Sequence, residues 1–560
     1  MKYFSPSYWI KLWVLSAQLF TSENQGIDDK LTFNTNIKDW TSENATYISL
    51  IENQESNFKV WEKNLTLKIQ KNINILNQSL NREKILSFTI EEISWIKPWQ
   101  IQKITPKQIS WFTQQQILWF TPWQIKWFSK PQLQAFTENQ IQAFVDIQIQ
   151  AFTKEQIQSF TSDQISWFKS TQVLWFTPWQ IKWFSKPQLQ AFTENQIQAF
   201  VDIQIQAFTK EQIQSFTSDQ ISWFKSTQVL WFTPWQIKWF SKPQLQAFTE
   251  NQIQAFVDIQ IQAFTKEQIQ SFTSDQISWF KSTQVLWFTS SQIQSFLPEQ
   301  IQFFNDNQVK IFTSEQISWF TEEQIQAFTL LQISWFAKQQ ISFFTFEQIH
   351  FFTKDQIQSF TSDQISWFKS TQVLWFTSSQ IQSLTPWQIQ SFIKEQFEAF
   401  TSHQVPWFKR IQTIWFVPEQ VQILIPKQIQ AFTIEQINWI HRVQIQVFTE
   451  VQIQALTLKQ ISWFTSWQIQ AFGEQQIQSF IKNQISWFTP EQILFFTSEQ
   501  ISWFSSEQIS WFTEQQVRML TKQQIQSLTE NQIKAFTEQQ IPVFTPFQIS
   551  WFTKEQINHF

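Results

Sequence analysis

The sequence predicts an all-α protein: a solenoid of about 60 octapeptide units, each forming one short helix capped by Thr or Ser. Three observations predict it. An eight-residue period runs from Asn81 to Phe560 without insertion or deletion, a helix-capping pattern recurs in its units, and most prolines fall where those helices begin. A β-solenoid of the same period is the alternative fold.

The octets share a fixed pattern when position 8 is placed at residue numbers divisible by eight. Thr137–Phe144, with the sequence TENQIQAF, is typical. Position 1 is mostly Thr or Ser, position 8 is mostly Phe, and position 5 is aliphatic with exceptions such as Phe397 and Thr413. Position 4 is Gln in 58 successive octets from Lys97 onward. One octet cannot bury its apolar side chains alone, so stacking into a solenoid is expected.

The capping pattern is Thr at position 1 followed by Gln at position 4, which is a capping box. Position 8 of one octet and position 5 of the next then form a hydrophobic staple, as with Phe144 and Ile149. Proline is tolerated at the first helical residue, because the N–H that it lacks has no partner there. Eleven of the 17 prolines occupy position 2. Each octet is therefore predicted to be helical over about positions 2–7.

The alternatives differ in how well they fit this spacing. One continuous helix would turn about 800° per octet, so its apolar stripe would drift by roughly 80° each time. A β-strand needs alternating apolar residues, whereas apolar positions 5 and 8 are three apart. Two features still favour a β-solenoid. Pro406 and Pro542 lie at position 6, where Pro is costly in a helix, and repeated Gln resembles the amide ladders of β structures.

The Gln of position 4 is predicted to have a structural role. Glu would serve a capping box equally well, yet Glu92 is its only occurrence at this position. Stacked carboxylates would repel one another, whereas an amide both donates and accepts hydrogen bonds. The side chains are thus expected to be at least partly buried and bonded to backbone. We assign this structural ladder to Gln140, Gln148, Gln156 and Gln164.

A second period of seven octets lies on top of the first. The block 121–176 recurs identically at 177–232 and 233–288, and part of it returns nearly unchanged at 353–376. The chain has therefore tolerated copying of whole blocks, which a closed catalytic domain seldom would. The number of octets is expected to vary without loss of the fold.

Three regions are predicted along the chain. Residues 1–20 are a possible signal or amphipathic segment, with a cleavage site after Ser16. Residues 21–80 are polar and lack the period, which is typical of a cap or linker, and residues 81–560 are the octet solenoid. No apolar run is long enough for a transmembrane helix. A secreted or cell-surface location is favoured over a cytoplasmic one.

Composition argues against several function classes. Two Gly residues and no Cys disfavour glycine-rich phosphate loops and thiolate metal sites. His350, His403, His441 and His559 are too scattered to suggest a metal site, and we assign no catalytic, cofactor-binding or metal-binding residue. A net charge of −4 lacks the basic footprint of nucleic-acid binders. The protein is therefore not expected to be an enzyme, to need a cofactor or to bind nucleic acid.

Tryptophan is the residue type that most favours a binding function. Trp123, Trp127, Trp167 and Trp175 recur through the copied block, at positions 3 and 7. One interpretation is packing within and between coils. A second is an exposed aromatic face that binds sugars or a partner protein, since aromatic residues are enriched at recognition sites. A third is an interfacial membrane surface, which would normally carry a basic face that is missing here.

The octets resemble those of bacterial proteins with long tandem repeats of the type Thr-x-x-Gln-Ile-x-x-Leu. The resemblance covers residues 81–560, with Phe mostly in place of Leu, and implies a repeat scaffold without activity or site residues. The expected function is an exported scaffold with a structural or protein-interaction role, which binds a protein partner or itself. The first alternative is a carbohydrate-binding adhesin that uses the Trp-rich surface. The second is a nucleic-acid-binding repeat, which the acidic charge balance disfavours.

Overall fold

A computed structural model of the protein describes residues 80–559. The chain divides into two compact units, Met1–Lys84 and Ile85–Phe560, and the second contains nearly all of the octets. The predicted signal segment at 1–20 and nearly all of the predicted cap or linker, up to residue 79, lie outside the described residues.

The all-α solenoid is confirmed for the described part of the chain. Residues 80–559 contain 58 short α-helices and two 3₁₀ helices, one per octet, and no β-strand. The β-solenoid alternative is therefore wrong. None of the helices in this range has the length and apolar character needed to cross a membrane.

Each α-helix begins at position 2 of its octet and ends at position 5, 6 or 7. Thirty helices have four residues, as in Pro122–Ile125. Those of five residues are Arg82–Leu86, Ile90–Ser94, Asp146–Gln150, Lys186–Gln190, Lys242–Gln246, Ser314–Ser318, Pro386–Gln390, Pro418–Gln422, Glu474–Gln478, Ser506–Ser510, Glu514–Arg518 and Glu530–Lys534. Those of six residues are Ser162–Trp167, Ser218–Trp223, Ser274–Trp279, Asp306–Ile311, Glu322–Ala327, Phe346–Phe351, Lys354–Ser359, Ser362–Trp367, Ser378–Ser383, Lys394–Ala399, Pro426–Ala431, Glu450–Ala455, Leu458–Trp463, Lys482–Trp487, Ser498–Trp503 and Lys522–Ser527.

The helices are short because the backbone becomes extended at the junction of two octets. In Ser162–Trp167, the capping residue Phe168 at position 8 has φ −60° and ψ 135°. The next residue, Lys169 at position 1, has φ −65° and ψ 149°. Two successive extended residues end one helix and redirect the chain into the next.

The capping box is built on Gln in every α-helical octet from Lys97 onward. The Thr121 N–H donates to Gln124 Oε1 at 2.8 Å, and the Gln124 N–H donates to Thr121 Oγ1 at 3.3 Å. Where position 1 has no hydroxyl, the Gln half remains: the Val145 N–H donates to Gln148 Oε1 at 3.0 Å. Position 1 can therefore vary because the Gln side chain alone still caps the helix start.

Proline at position 6 changes the helix type and leaves the octet intact. In many other octets the position 6 N–H donates to the position 2 carbonyl, as from Gln142 to Glu138 at 2.9 Å. Pro406 and Pro542 have no such N–H. Their octets form the 3₁₀ helices Val405–Trp407 and Ile541–Val543.

Successive coils are joined by helix packing and by the Gln amide. Helices three octets apart pack together, as Pro122–Ile125 does against Asp146–Gln150. The Gln140 Nε2 donates to the carbonyls of Ile109 and Phe112, which lie 31 and 28 residues earlier in the fourth preceding octet, at 2.8 and 2.7 Å. Each turn of the solenoid thus contains between three and four octets.

The core is made by positions 5 and 8. Position 5 side chains such as Ile149 are fully buried and position 8 rings are almost so, except that Ile541, Ile549 and Ile557 at position 5 are exposed. From Phe112 to Phe376 each position 8 ring contacts the next one edge to face, with centroids 5.2 Å apart at Phe200 and Phe208. Such aromatic pairs add about 0.5–1.5 kcal/mol beyond burial. A continuous column of Phe rings therefore runs through this part of the solenoid.

Candidate interaction surface

The four Gln residues singled out in the sequence are buried between coils. Gln148 is fully buried, and its Nε2 donates to Ile117 O and Phe120 O, both at 2.8 Å. Gln140, Gln156 and Gln164 make the same pair of bonds to the fourth preceding octet. These amides bond to backbone groups and not to one another, so they form no side-chain ladder. Their donors are fully used within the fold, which leaves none to bind a ligand.

The four Trp residues singled out in the sequence differ in exposure. Trp123 at position 3 and Trp127 at position 7 are exposed, and their ring centroids lie 5.6 Å apart in a tilted pair. Trp167 and Trp175, both at position 7, are half-buried. The structure therefore brings together Trp123 and Trp127 within one octet.

The most exposed large apolar side chains of the copied block occupy position 3. Trp179 and Trp235, the copies of Trp123, are each 69% exposed. Ile147, Ile203 and Ile259 are each 55% exposed. Large apolar side chains at a water-facing position are typical of a binding surface when they lie side by side. We call these six residues the position 3 stripe: Trp123, Ile147, Trp179, Ile203, Trp235 and Ile259.

Contacts between coils place the octets of the position 3 stripe next to one another. The helix that carries Trp123 packs against the helix that carries Ile147, three octets later. The octet of Trp179 is joined back to the octet of Ile147, because Gln180 Nε2 donates to Ile149 O at 2.8 Å. The same two contacts recur in the later copies, through helices Pro178–Ile181 and Pro234–Ile237 and through Gln236. The six octets thus follow one another from coil to coil, each in contact with the next.

Charges alternate along the position 3 stripe. Each Trp octet carries one Lys at position 6, and Lys182 Nζ lies 4.8 Å from the centre of the Trp179 ring, in a cation–π contact. Each Ile octet carries one Asp at position 2, and Asp146 Oδ1 accepts from the Ile147 N–H at 2.8 Å. The stripe is therefore apolar, with a basic and an acidic group on successive coils.

Three carboxylates of the copied block have a pKa that local hydrogen bonds lower. The pKa of the exposed Glu155 is lowered first by its own backbone N–H and then by the Thr153 hydroxyl, with a smaller lowering by the charge of Lys154. Glu211 and Glu267, its copies, have their pKa lowered in the same way. These shifts come from the octet's own capping geometry and do not mark a reactive group.

Among the described residues, no group of three or more His, Asp or Glu side chains is arranged to hold a metal ion. His350 Nδ1 lies 2.9 Å from Phe346 O, and His403 stacks edge-on against Trp407 with centroids 5.2 Å apart. His559 Nδ1 lies 3.4 Å from Glu530 Oε1. These three histidines are placed by neighbours in their own or the adjoining coil.

Comparison with protein-family models, with curated proteins and with solved structures gave no match. The surface must therefore be interpreted from its own chemistry.

Sequence reasoning singled out Trp123 and did not single out Ile147 or the copies Trp179 and Trp235. The signal was present, because positions 2 and 3 carry most of the charges and an apolar residue there is conspicuous. What the sequence lacked was the number of octets per turn, which decides which position 3 residues become neighbours.

Proposed function

We propose that the octet solenoid is a non-catalytic scaffold with a structural or protein-interaction role, and that the position 3 stripe is its interaction surface. The observation that carries this proposal is the 69% exposure of Trp179 and Trp235 on a backbone joined coil to coil. Trp is enriched among residues that dominate binding energy, particularly where the site is rigid before binding.

The repeated geometry supports a scaffold more than a single pocket. The copied blocks present the same side chains again and again, so binding at several equivalent sites would add up through multivalency. The exposed residues form a row along the coils, and the Gln amides of position 4 are hydrogen-bonded to backbone carbonyls in the interior. A surface of this kind fits an extended partner.

Replacing Trp123, Trp179 and Trp235 together with Ala tests the proposal. Replacing Leu331, Trp387 and Phe547 with Ala is the matched control, because these position 3 residues are also exposed and lie outside the stripe. Both variants are compared with the wild-type chain on protein and glycan arrays. We expect protein binding to be lost in the stripe variant alone. Equal binding by all three chains would contradict the stripe as the interaction surface.

Carbohydrate binding is the second candidate function. Exposed Trp rings favour it, since a ring face next to polar groups is suited to stacking on a sugar. In Trp179, however, Lys182 already covers part of one ring face. Glycan-array binding that disappears in the stripe variant would favour this function over protein binding.

A further inference from the structure

The hydrogen bonds between coils give the length of one turn. Side chains bond across coils to residues 25, 27, 28, 30 and 31 positions away, as from Gln134 to Ser159 O, Asn305 to Ser278 O, and Gln116 to Phe88, Leu86 and Ile85 O. The separations run from 25 to 31 residues, and the middle of that range is 28 residues, or three and a half octets. The copied block of 56 residues is then two turns. Each copy therefore returns its side chains to the same side of the solenoid.

This relation explains why the position 3 stripe exists. A copied block of six or eight octets would have placed Trp123, Trp179 and Trp235 on different sides. Seven octets place them in one row, two coils apart, with an Ile octet on the coil between. Packed helix axes lie about 8–10 Å apart, so the helix of each Trp and the helix of the Ile that follows it are neighbours on adjoining coils.

We propose that the position 3 stripe binds the same stripe of a second copy of this chain, in an antiparallel, two-fold pair. This inference rests on the proposed interaction function and names its partner. A second copy has apolar side chains that recur with the same spacing, since it has the same coil. A two-fold pair is also the commonest symmetry of soluble oligomers.

Charge along the stripe favours the same partner. The Trp octets carry Lys126, Lys182 and Lys238, and the Ile octets carry Asp146, Asp202 and Asp258. A two-fold pair that sets each Trp octet against an Ile octet places every Lys opposite an Asp. The same arrangement packs each Trp ring beside the smaller Ile. A stripe with charges of a single sign would repel its own copy, whereas this stripe carries charges of both signs.

The exposed apolar area of the stripe is comparable to what one partner buries in a stable interface. Trp side chains bury about 150–250 Å² each when fully covered, so the six partly exposed residues offer on the order of 600 Å² per copy. Stable interfaces bury about 800 Å² per partner. The Pro residues at position 2 and the Lys and Asp side chains border the stripe and supply the remainder.

Analytical ultracentrifugation of the full-length chain tests the inference. We expect a dimer for the wild-type chain and a monomer when Trp123, Trp179 and Trp235 are replaced together with Glu. The control with Leu331, Trp387 and Phe547 replaced with Glu is expected to remain a dimer, and circular dichroism confirms that each variant is folded. A wild-type chain that is monomeric at every concentration would overturn the inference, as would a control variant that also dissociates.

Charge reversal makes the test independent of any loss of fold. In one variant Lys126, Lys182 and Lys238 become Glu, and in the other Asp146, Asp202 and Asp258 become Lys. Each variant alone has like charges along its stripe and is expected to be monomeric, and an equimolar mixture is expected to form the mixed dimer. If both variants dimerise alone as well as the wild type does, or if the mixture stays monomeric, self-association through the stripe is wrong. The wild-type chain could instead be monomeric and bind a different protein that the Trp variant no longer binds. That result would overturn this inference and leave the proposed interaction function standing.

Discussion

The copied block at 121–288 and the region 393–432 follow the same octet frame with very different regularity. In the copied block every position 8 residue is Phe and every position 5 residue is Ile, Leu or Val. In the second region position 5 holds Phe397 and Thr413, and position 6 holds Pro406. A small internal void lies there, lined by Phe397, Phe400, Val405, Phe408, Phe416, Leu424 and Phe432.

The bonds between coils are nevertheless the same in both regions. In the copied block, Gln204 Nε2 donates to Val173 O and Phe176 O at 2.8 and 2.7 Å. Gln444, on a later coil, donates its Nε2 to Thr413 O and Phe416 O of the irregular region, both at 2.7 Å. Since these bonds end on backbone carbonyls, they do not depend on which side chain the acceptor residue carries. The comparison teaches that the Gln amide fixes the coil, while positions 5 and 8 can vary to fill it.

The largest expected effect comes from replacing Gln196 and Gln204 together with Glu. A carboxylate at position 4 can still cap its own helix but cannot donate to the carbonyls of the preceding coil. Leaving a buried polar group without its partner costs about 1–3 kcal/mol, and these two substitutions affect five carbonyls, three bonded to Gln196 and two to Gln204. The melting temperature should fall substantially, and Gln412→Glu in the irregular region should cost as much as either single substitution.

The control for this prediction is Gln206→Glu with Gln214→Glu. Both residues are exposed at position 6 of neighbouring octets, so the charge is added without loss of a bond between coils. Thermal unfolding followed by circular dichroism should show a much smaller change for the control. Equal melting temperatures for the two double variants would contradict a structural role for position 4.

A smaller effect is expected from the Phe column. Phe208 is buried between Phe200 and Phe216, with centroids 5.2 and 5.1 Å away. Phe208→Ala should cost about 3–5 kcal/mol because it leaves a cavity. Phe208→Leu should cost less, since Leu384 and Leu424 occupy the same position elsewhere in the solenoid. Chemical denaturation measures both values, and a Leu variant as unstable as the Ala variant would show that the aromatic column is required.

The irregular region offers a test of volume compensation. The Phe397 ring lies 5.0 Å from the ring of Phe416, whose octet carries the small Thr413 at position 5. We expect Thr413→Ile to overpack this region by about 1–3 kcal/mol. The cost should fall when Phe397→Ile is also present. A double-mutant cycle with no coupling would show that the two departures from the pattern are independent.

The smallest expected effect is the acid dependence due to Glu155, Glu211 and Glu267. Their pKa is lowered in the folded chain, first by the backbone N–H and then by the Thr hydroxyl. Each one stabilises the fold above its ordinary pKa and loses that contribution as the pH falls through the lowered value. Replacing all three with Gln should flatten the fall in melting temperature below the ordinary Glu range. Parallel pH profiles for the two chains would contradict this assignment.

Much of the fold could be predicted because the residues that start and cap each helix lie within the same octet. The Thr and Gln of the capping box and the prolines at position 2 define where each helix begins. The behaviour of Pro406 and Pro542 could not be predicted, since the sequence does not show that the position 6 hydrogen bond is dispensable and that a 3₁₀ helix replaces it. The hydrogen-bond acceptors of Gln140 could not be predicted either, because they lie in the fourth preceding octet and depend on the number of octets per turn.

The candidate surface could be predicted only in part for the same reason. Trp123 stands out within its octet, but its neighbour Ile147 is 24 positions away in the chain. The sequence of neither octet indicates that the helices of Trp123 and Ile147 pack together. Once a turn is known to hold three and a half octets, the seven-octet block and the position 3 stripe follow.

The most direct test of that central claim is a distance measurement between spin labels on Cys residues introduced at Ile147 and Ile203. The chain has no other Cys, so only these two positions are labelled. If 56 residues make two turns, the backbone positions should be about 16–20 Å apart, given ordinary helix packing distances, and the pair at Ile147 and Ile259 should be about twice as far. Broad distributions, or a first distance well beyond this range, would contradict a coil of three and a half octets.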